Sequence, residues 1–241
     1  MEINILTLFP EMFSGFLNES LLKKAQDKGL LKINIINLRD FTADKHKTVD
    51  DSPYGGGAGM VMKAEVIQEA INSGRLSGSR KIFMCPSGEV LNNQKVLDLV
   101  QYKSLTILCG HYEGIDERAR SWFDEEISIG DYVLTGGELP AAVLIDAIAR
   151  HIPGIVKEAG SVQNDSFYDG LLDYPSYTRP EELSGERVPE VLLSGNHAEI
   201  ARWRRKEAIR RTLERRPDLL AKANLTELDK ELLEELWQTS T

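Results

Sequence analysis

Ser128-Ile-Gly-Asp-Tyr-Val-Leu-Thr-Gly-Gly-Glu-Leu-Pro140 runs from the end of an apolar strand, through a turn with three glycines, into a helix with Pro140 in its first turn. Gly130, Gly136 and Gly137 permit a positive φ or a close backbone approach, and Pro140 suits a helix start, where a missing N–H costs nothing. The backbone itself is therefore expected to be the binding surface. Two similar strand ends precede it, Lys81-Ile-Phe-Met-Cys-Pro-Ser-Gly88 and Leu105-Thr-Ile-Leu-Cys-Gly-His-Tyr-Glu-Gly-Ile-Asp116. Each alone reads as an ordinary strand-to-helix turn. Three of them at the carboxyl ends of strands in an open α/β sheet can build one pocket.

Outward from these loops, strands alternate with helices of about a dozen residues, the pattern of βαβ units and a mainly parallel sheet. Strands are expected at 3–9, 31–38, 81–84, 105–109 and 126–129, and helices at 17–28, 64–72, 94–100, 116–123 and 139–152. In the last helix Ala141, Leu144, Ile145, Ile148 and Ile152 repeat at the spacing of a buried face. Residues 40–60 break the rhythm and contain Asp50-Asp-Ser-Pro-Tyr-Gly-Gly-Gly-Ala-Gly-Met60; a loop of this length is functional or disordered. From about 160 to 180 the chain carries Gly, Ser, Asp, Asn, Pro and Tyr without a period. The division expected is an α/β domain over 1–160, a flexible linker over 161–175 and a small all-helical domain over 176–241. Its helices are expected at 196–215, 217–223 and 226–238, the last opened by a Thr226/Asp229 capping box.

The composition narrows the chemistry. With 241 residues, 41% hydrophobic and 28% charged, the chain is an ordinary soluble globular type. No apolar run approaches the roughly 20 residues of a membrane span. Met1-Glu2-Ile3-Asn4 does not begin a secretory signal, so a cytoplasmic protein is expected. Cys85 and Cys109 lack Cys-x-x-Cys spacing, which points to reduced thiols and no metal site. Phe9-Pro10-Glu11 has no dinucleotide fingerprint, and Gly59-Met60 stands where a phosphate loop needs Gly-Lys-Ser/Thr. There is no His-x-x-x-His pair and no Gly-x-Ser-x-Gly.

A net charge of −9 argues against a protein that coats nucleic acid, but not against a local basic patch. Residues 196–216 supply one: Arg202, Arg204, Arg205, Lys206, Arg210, Arg211, Arg215 and Arg216 against Glu199, Glu207 and Glu214. Arg204, Arg211 and Arg215 share a helical face. A solvated helix laced with i,i+4 pairs accounts for this as well as a phosphate partner does.

Five segments together, Tyr54-Gly-Gly-Gly-Ala-Gly-Met60, Cys109-Gly-His-Tyr-Glu-Gly-Ile-Asp-Glu-Arg118, the 128–140 stretch, Leu171-Leu-Asp-Tyr-Pro-Ser-Tyr-Thr-Arg-Pro180 and Leu193-Ser-Gly-Asn-His-Ala-Glu-Ile200, closely resemble bacterial tRNA (guanine-N1)-methyltransferases of the SPOUT superfamily. The resemblance covers essentially the whole chain in order. It departs at Ala58, where proline is common, and at His111, where many members have arginine. It implies methyl transfer from S-adenosyl-methionine to N1 of the guanosine just 3′ of the anticodon, tRNA position 37, in support of reading-frame maintenance. It also implies a deep trefoil knot at the cofactor site and a homodimer whose active site takes residues from both subunits.

By matching position, the cofactor residues are Pro86, Gly88, Gly110, Tyr112, Glu113, Gly114, Ile129, Gly130, Tyr132, Leu134, Gly136 and Gly137. The resemblance implies Asp165 as the general base, where the residue type alone allows a turn or helix cap, and Arg150 as the group at guanine O6, where an i,i+4 pair with Asp146 is the alternative. Contacts with the tRNA anticodon stem-loop are expected from Asp50, Gly55, Gly57, Gly59, Asp173, Ser194, Asn196, His197, Arg204 and Arg211. Participation of Mg²⁺ stays open. The alternatives are a non-catalytic RNA-binding or ribosome-assembly factor that keeps the pocket, and another nucleoside-handling enzyme; the presence of Arg150 and Asp165 favours catalysis.

Overall fold

The computed structural model describes residues 1–156 and 164–239. The chain divides into two compact units, Met1–Lys157 and Glu158–Thr241.

The first unit is built on a five-stranded parallel sheet of order β2-β1-β6-β5-β7, with β1 at Glu2–Thr7, β2 at Lys32–Asn37, β5 at Arg80–Val90, β6 at Ser104–Cys109 and β7 at Glu125–Ser128. Alternate residues of each strand feed a core on either face. Ile3, Ile5, Leu105, Ile107 and Cys109 pack with Leu144, Ile145 and Ile148 on one side, and Leu6, Leu108 and Phe83 pack with Val66, Ile67 and Ala70 on the other. This two-sided cover is why the strands read as near-continuous apolar runs. The buried polar strand residues are each partnered: Asn4 Oδ1 accepts from the partly buried Asn34 Nδ2 at 2.8 Å, and the Thr106 hydroxyl lies 2.8 Å from that of Ser79, just before β5.

The helices of this unit are α1 (Ser14–Leu17), α2 (Ser20–Asp27), α3 (Ala64–Asn72), α4 (Asn93–Val100), α5 (Glu117–Arg120) and α6 (Glu138–His151). The single helix expected over 17–28 is broken: Ser20 takes φ 53°, and Gln26 Nε2 donates to the freed Leu17 carbonyl at 2.8 Å. α5 is one turn rather than two, because the chain must turn at once to place Phe123 against Phe83, 5.9 Å between ring centres, ahead of β7. β5 does not end at Met84. Its pairing with β7 shifts register between Met84 and Glu89 and then resumes. Pro86 cannot donate to a ladder, which makes this a natural bulge. The long 40–60 loop contains β3 (Asp50–Asp51), paired antiparallel with β4 (Val61–Met62).

The second unit is not wholly helical. β8 (Glu182–Leu183) and β9 (Glu186–Arg187) form a hairpin closed by Ser184 and Gly185, at φ 53° and 85°. Two consecutive positive φ values define a tight turn matched to strand twist, and Ser-Gly permits it. α7 (Glu190–Leu193), α8 (His197–Arg215), α9 (Pro217–Leu220) and α10 (Glu227–Thr239) follow. The capping box forms as expected: Thr226 N–H donates to Asp229 Oδ2 at 2.9 Å and Asp229 N–H to Thr226 Oγ1 at 3.2 Å. Leu171, in the stretch read as linker, is buried with Ile209, Leu232 and Leu236. The neighbouring Leu172 N–H donates to Thr212 Oγ1 at 2.9 Å. Residues 161–163 of that stretch, with 157–160 before it, lie outside the described residues.

Candidate active site

The bulge of β5 and the carboxyl ends of β6 and β7 open into a cavity of about 240 Å³. Eleven of the twelve residues expected at a cofactor line it: Pro86, Gly110, Tyr112, Glu113, Gly114, Ile129, Gly130, Tyr132, Leu134, Gly136 and Gly137. Gly88 does not. It lies where an added Cβ would run into the Glu126–Ile127 main chain, so it serves the bulge that lets β5 rejoin β7.

Three sets of bonds hold the loops. On the 85–88 turn, Arg120 Nε donates to Glu126 Oε1 at 2.8 Å and Arg120 Nη2 to Ser87 Oγ at 2.8 Å. The Arg120 guanidinium keeps the Glu126 carboxyl below the ordinary carboxylate range, while burial pushes the nearby Cys85 thiol up. The 110–114 loop is pinned to the glycine-rich loop and β4: Glu113 N–H donates to Met60 O and Met62 N–H to Gly114 O, each at 2.9 Å. Tyr112 in this loop takes φ 61°, an uncommon conformation for a non-glycine residue. The 129–137 loop crosses to it, with His111 and Gly136 bridged and Gly137 N–H donating to Gly110 O at 2.8 Å. A Cβ on Gly137 would lie 2.7 Å from Cys109 Cα and 2.8 Å from Gly110 N. Gly137 is thus required by chain packing on chain, before any ligand is considered.

Among the described residues no lysine or arginine lines the cavity, and the one acidic lining residue is Glu113. Sequence reasoning missed His111 and Glu138. Their side chains meet at 2.6 Å, Nε2 to Oε2, and His111 lines the cavity while Glu138 lies behind it. Burial, with Glu138 nearby, pushes the Cys109 thiol well up, so it is an inert core thiol.

Arg150 lies in the last turn of α6. Its distance along the helix from Gly137, at about 1.5 Å per residue, is roughly 20 Å, so it is not at the cavity of its own chain. Asp165 belongs to the second unit, in a hollow with Asp169, Asp173, Tyr174, Arg204 and Arg205.

Most of the basic helix is paired. Arg205 binds Asp229 through Nε–Oδ1 at 2.6 Å and Nη2–Oδ2 at 2.9 Å, and also binds Asp169. Arg202 and Lys206 bind Glu235, and Arg210 binds Glu207. Arg211 lies 3.8 Å from Asp173. Arg204 instead stacks on Tyr174, 4.9 Å from the ring centre, and has no carboxylate partner among the described residues. Of the pairs, only Arg210–Glu207 lies within the helix, at i,i+3. Ser194 and Asn196 serve as local caps: Asn196 Oδ1 accepts from Ala198 and Glu199 N–H, and Ser194 Oγ accepts from Asn196 N–H. His197 follows as the exposed first residue of α8. In the glycine-rich loop Gly55, Gly57 and Gly59 all take positive φ, and Asp50 sits in β3.

Among the described residues no group of His, Cys, Asp and Glu could hold a metal ion, and no helix is long and apolar enough to cross a membrane. Compared with known proteins, residues 1–222 match the family described as tRNA (Guanine-1)-methyltransferase TrmD. A tRNA (guanine-N(1)-)-methyltransferase of Dictyoglomus turgidum is 54% identical over 98% of this chain and 96% of its own length. The proteins of the same description from Pelotomaculum thermopropionicum and Moorella thermoacetica are 55% and 50% identical over the same shares. A match of this extent, running through all three loops of the cavity and into the helical unit, makes the chain a member of the tRNA (guanine-N1)-methyltransferase family.

Proposed function

We propose that this chain methylates N1 of the guanosine 3′ of the tRNA anticodon, position 37, with S-adenosyl-methionine held in the cavity at the bulge of β5 and the ends of β6 and β7. The observation that carries the cofactor reading is the lining. Glycine main chain, apolar walls from Pro86, Ile129 and Leu134 and, among the described residues, one carboxylate and no lysine or arginine suit an adenosine bearing a cationic sulfonium. They do not suit a polyphosphate, which needs donors and positive charge. Pro86, Gly110, Tyr112, Glu113, Gly114, Ile129, Gly130, Tyr132, Leu134, Gly136 and Gly137 would hold it. When bound, it supplies an electrophilic methyl group.

Guanine N1 carries a proton at neutral pH, and its lone pair is not free for attack until that proton leaves. The Asp165 carboxylate accepts it. As the proton leaves, charge develops on guanine O6, and a guanidinium placed there offsets it; this is the role of Arg150. Because Arg150 stands roughly 20 Å along α6 from Gly137, the cavity of one chain must be completed by a second copy. Exposed apolar residues near the start of α6, Leu139 at 55% and Val143 at 48%, support a homodimer. The crossing of the 129–137 loop over Gly110 supports the trefoil knot that the resemblance implies. Arg204, stacked rather than ion-paired, is the phosphate contact that the basic helix offers most readily, with Arg211, Ser194, Asn196 and His197 beside it and the Asp50 to Gly59 loop over the base.

Single-turnover transfer to unmodified tRNA tests this reading, with the methylated base identified by mass spectrometry. Asp165→Asn keeps size and most hydrogen bonds but removes the proton acceptor, so transfer should fall by about 10² to 10⁴ with both substrates still bound. Near-normal transfer would remove Asp165 from the mechanism. A wild-type chain that binds tRNA and transfers no methyl group would leave the non-catalytic RNA-binding reading.

A further inference from the structure

Behind the cavity wall lies a buried carboxylate that this chemistry does not use. Glu138 is 1% exposed. Its Oε1 accepts from Thr7 Oγ1 at 2.6 Å, and its Oε2 meets His111 Nε2 at 2.6 Å. One side chain therefore ties the end of β1, the loop after β6 and the first turn of α6. A carboxylate suits that turn, where main-chain N–H groups point outward. The His111 ring is wedged in place: Phe9 stands 4.7 Å away, and any Cβ on Gly136 would overlap the imidazole.

The glycines explain why such a tie is needed. Gly136 and Gly137 let the 129–137 loop close on Gly110, but they contribute no side chain to fix how the two loops sit together. Glu138 is the next residue and supplies that contact. Burying a carboxylate is costly unless both oxygens are satisfied, and a buried pair of this kind is best justified by the arrangement it selects.

We propose that Glu138 is a positioning residue for cofactor binding: through His111 it sets the spacing of the 110–114 and 129–137 loops without touching the cofactor or the guanine. This rests on the reading that the cavity holds S-adenosyl-methionine. His111 and Glu138 act as a unit, with Thr7 orienting the carboxylate.

The test is calorimetric titration of S-adenosyl-methionine into the full-length wild type, Glu138→Gln, His111→Gln and the double variant, with single-turnover rates at saturating cofactor. Coupled neighbours are non-additive. Glu138→Gln should weaken cofactor affinity about tenfold and raise its KM alike, leave the saturated rate within about threefold, and leave KM for tRNA unchanged. The double variant restores an amide pair and should bind about fivefold more tightly than Glu138→Gln alone. Thr7→Val, which removes the Oε1 donor and with it the acceptor that Thr7 Oγ1 offers to Phe9 N–H at 2.9 Å, should show the same split at about threefold, and it decides the matter together with His111→Gln if Glu138→Gln does not fold. Wild-type affinity in Glu138→Gln, additive effects in the double variant, or a fall in saturated rate with affinity unchanged overturns the proposal. A wild-type chain that takes up no S-adenosyl-methionine removes the cofactor reading and this proposal with it.

Discussion

Replacing Gly137 by alanine puts a methyl group 2.7 Å from Cys109 Cα and 2.8 Å from Gly110 N. Carbon atoms are comfortable at about 3.5 Å or more, so the overlap is about 0.8 Å, and it falls on main chain that cannot rotate aside. Relief requires the 136–137 turn to retreat by a similar distance. That lengthens the Gly137 to Gly110 hydrogen bond, now 2.8 Å, beyond bonding range. Overpacking costs about 1–3 kcal/mol and a lost hydrogen bond about 0.5–1.5 kcal/mol. The sum, about 1.5–4.5 kcal/mol, lowers the melting temperature of a unit of this size by about 3–18 °C. A ligand that needs the wall in its original place must restore the strain, so affinity for S-adenosyl-methionine should fall about tenfold or more. Scanning fluorimetry and calorimetry on the same preparation read both effects. Gly15→Ala is the control, because Gly15 is helical with no atom near its Cβ position. If Gly137→Ala melts and binds like wild type, the claim that this glycine sets the loop spacing is wrong.

Arg204→Ala should weaken tRNA binding and reduce the log–log salt slope by about one, while Lys206→Ala, already committed to Glu235, should change the slope less. Equal slopes in the two variants would refute the distinction between stacked and paired cations. Burial pushes the Asp229 carboxyl up, but hydrogen bonds from Arg205, and from Thr226 through both N–H and hydroxyl, prevail and hold it at about 2. A carboxyl depressed on folding stabilises above its unfolded value, near 3.8, and loses that contribution as pH falls toward 2. About 2 kcal/mol should therefore vanish across that window, and Asp229→Asn should flatten the acid-unfolding curve followed by circular dichroism. Arg150→Ala should cut single-turnover transfer by about 10² with the melting temperature nearly unchanged; a variant that melts early and turns over normally assigns Arg150 to structure.

What could be read from the sequence was what local chemistry decides. The strands of a sheet covered on both faces are apolar runs, and glycines mark the turns that approach other main chain. The loops at 85–88, 110–114 and 129–137 were legible on that basis. Continuation of β5 past its bulge was not, because Ser87, Gly88 and Glu89 look like a turn until β7 is there to pair with them. The Ser184-Gly185 hairpin carried its signal, but its two-residue strands are too short to show alternation. The basic helix could not be sorted into paired and stacked members, since Asp169, Asp229 and Glu235 reach it from other elements. Glu138 reads as a helix-start acid; only the fold brings Thr7, from the far end of the unit's sequence, to its second oxygen.

The place of β6 in the sheet has a consequence for how the protein is made. β1 and β2 leave the ribosome early, but the other edge of β1 is completed by β6, with Ile3 opposite Leu105 and Ile5 opposite Ile107. For the synthesis of about a hundred residues that edge has no partner, and pairings so distant along the chain form slowly. A nascent chain halted before residue 104 would carry an open, strongly apolar strand, the kind of surface that draws chaperones or aggregates. Release of the Ser104–Cys109 segment is then the event after which the growing chain can begin to protect itself.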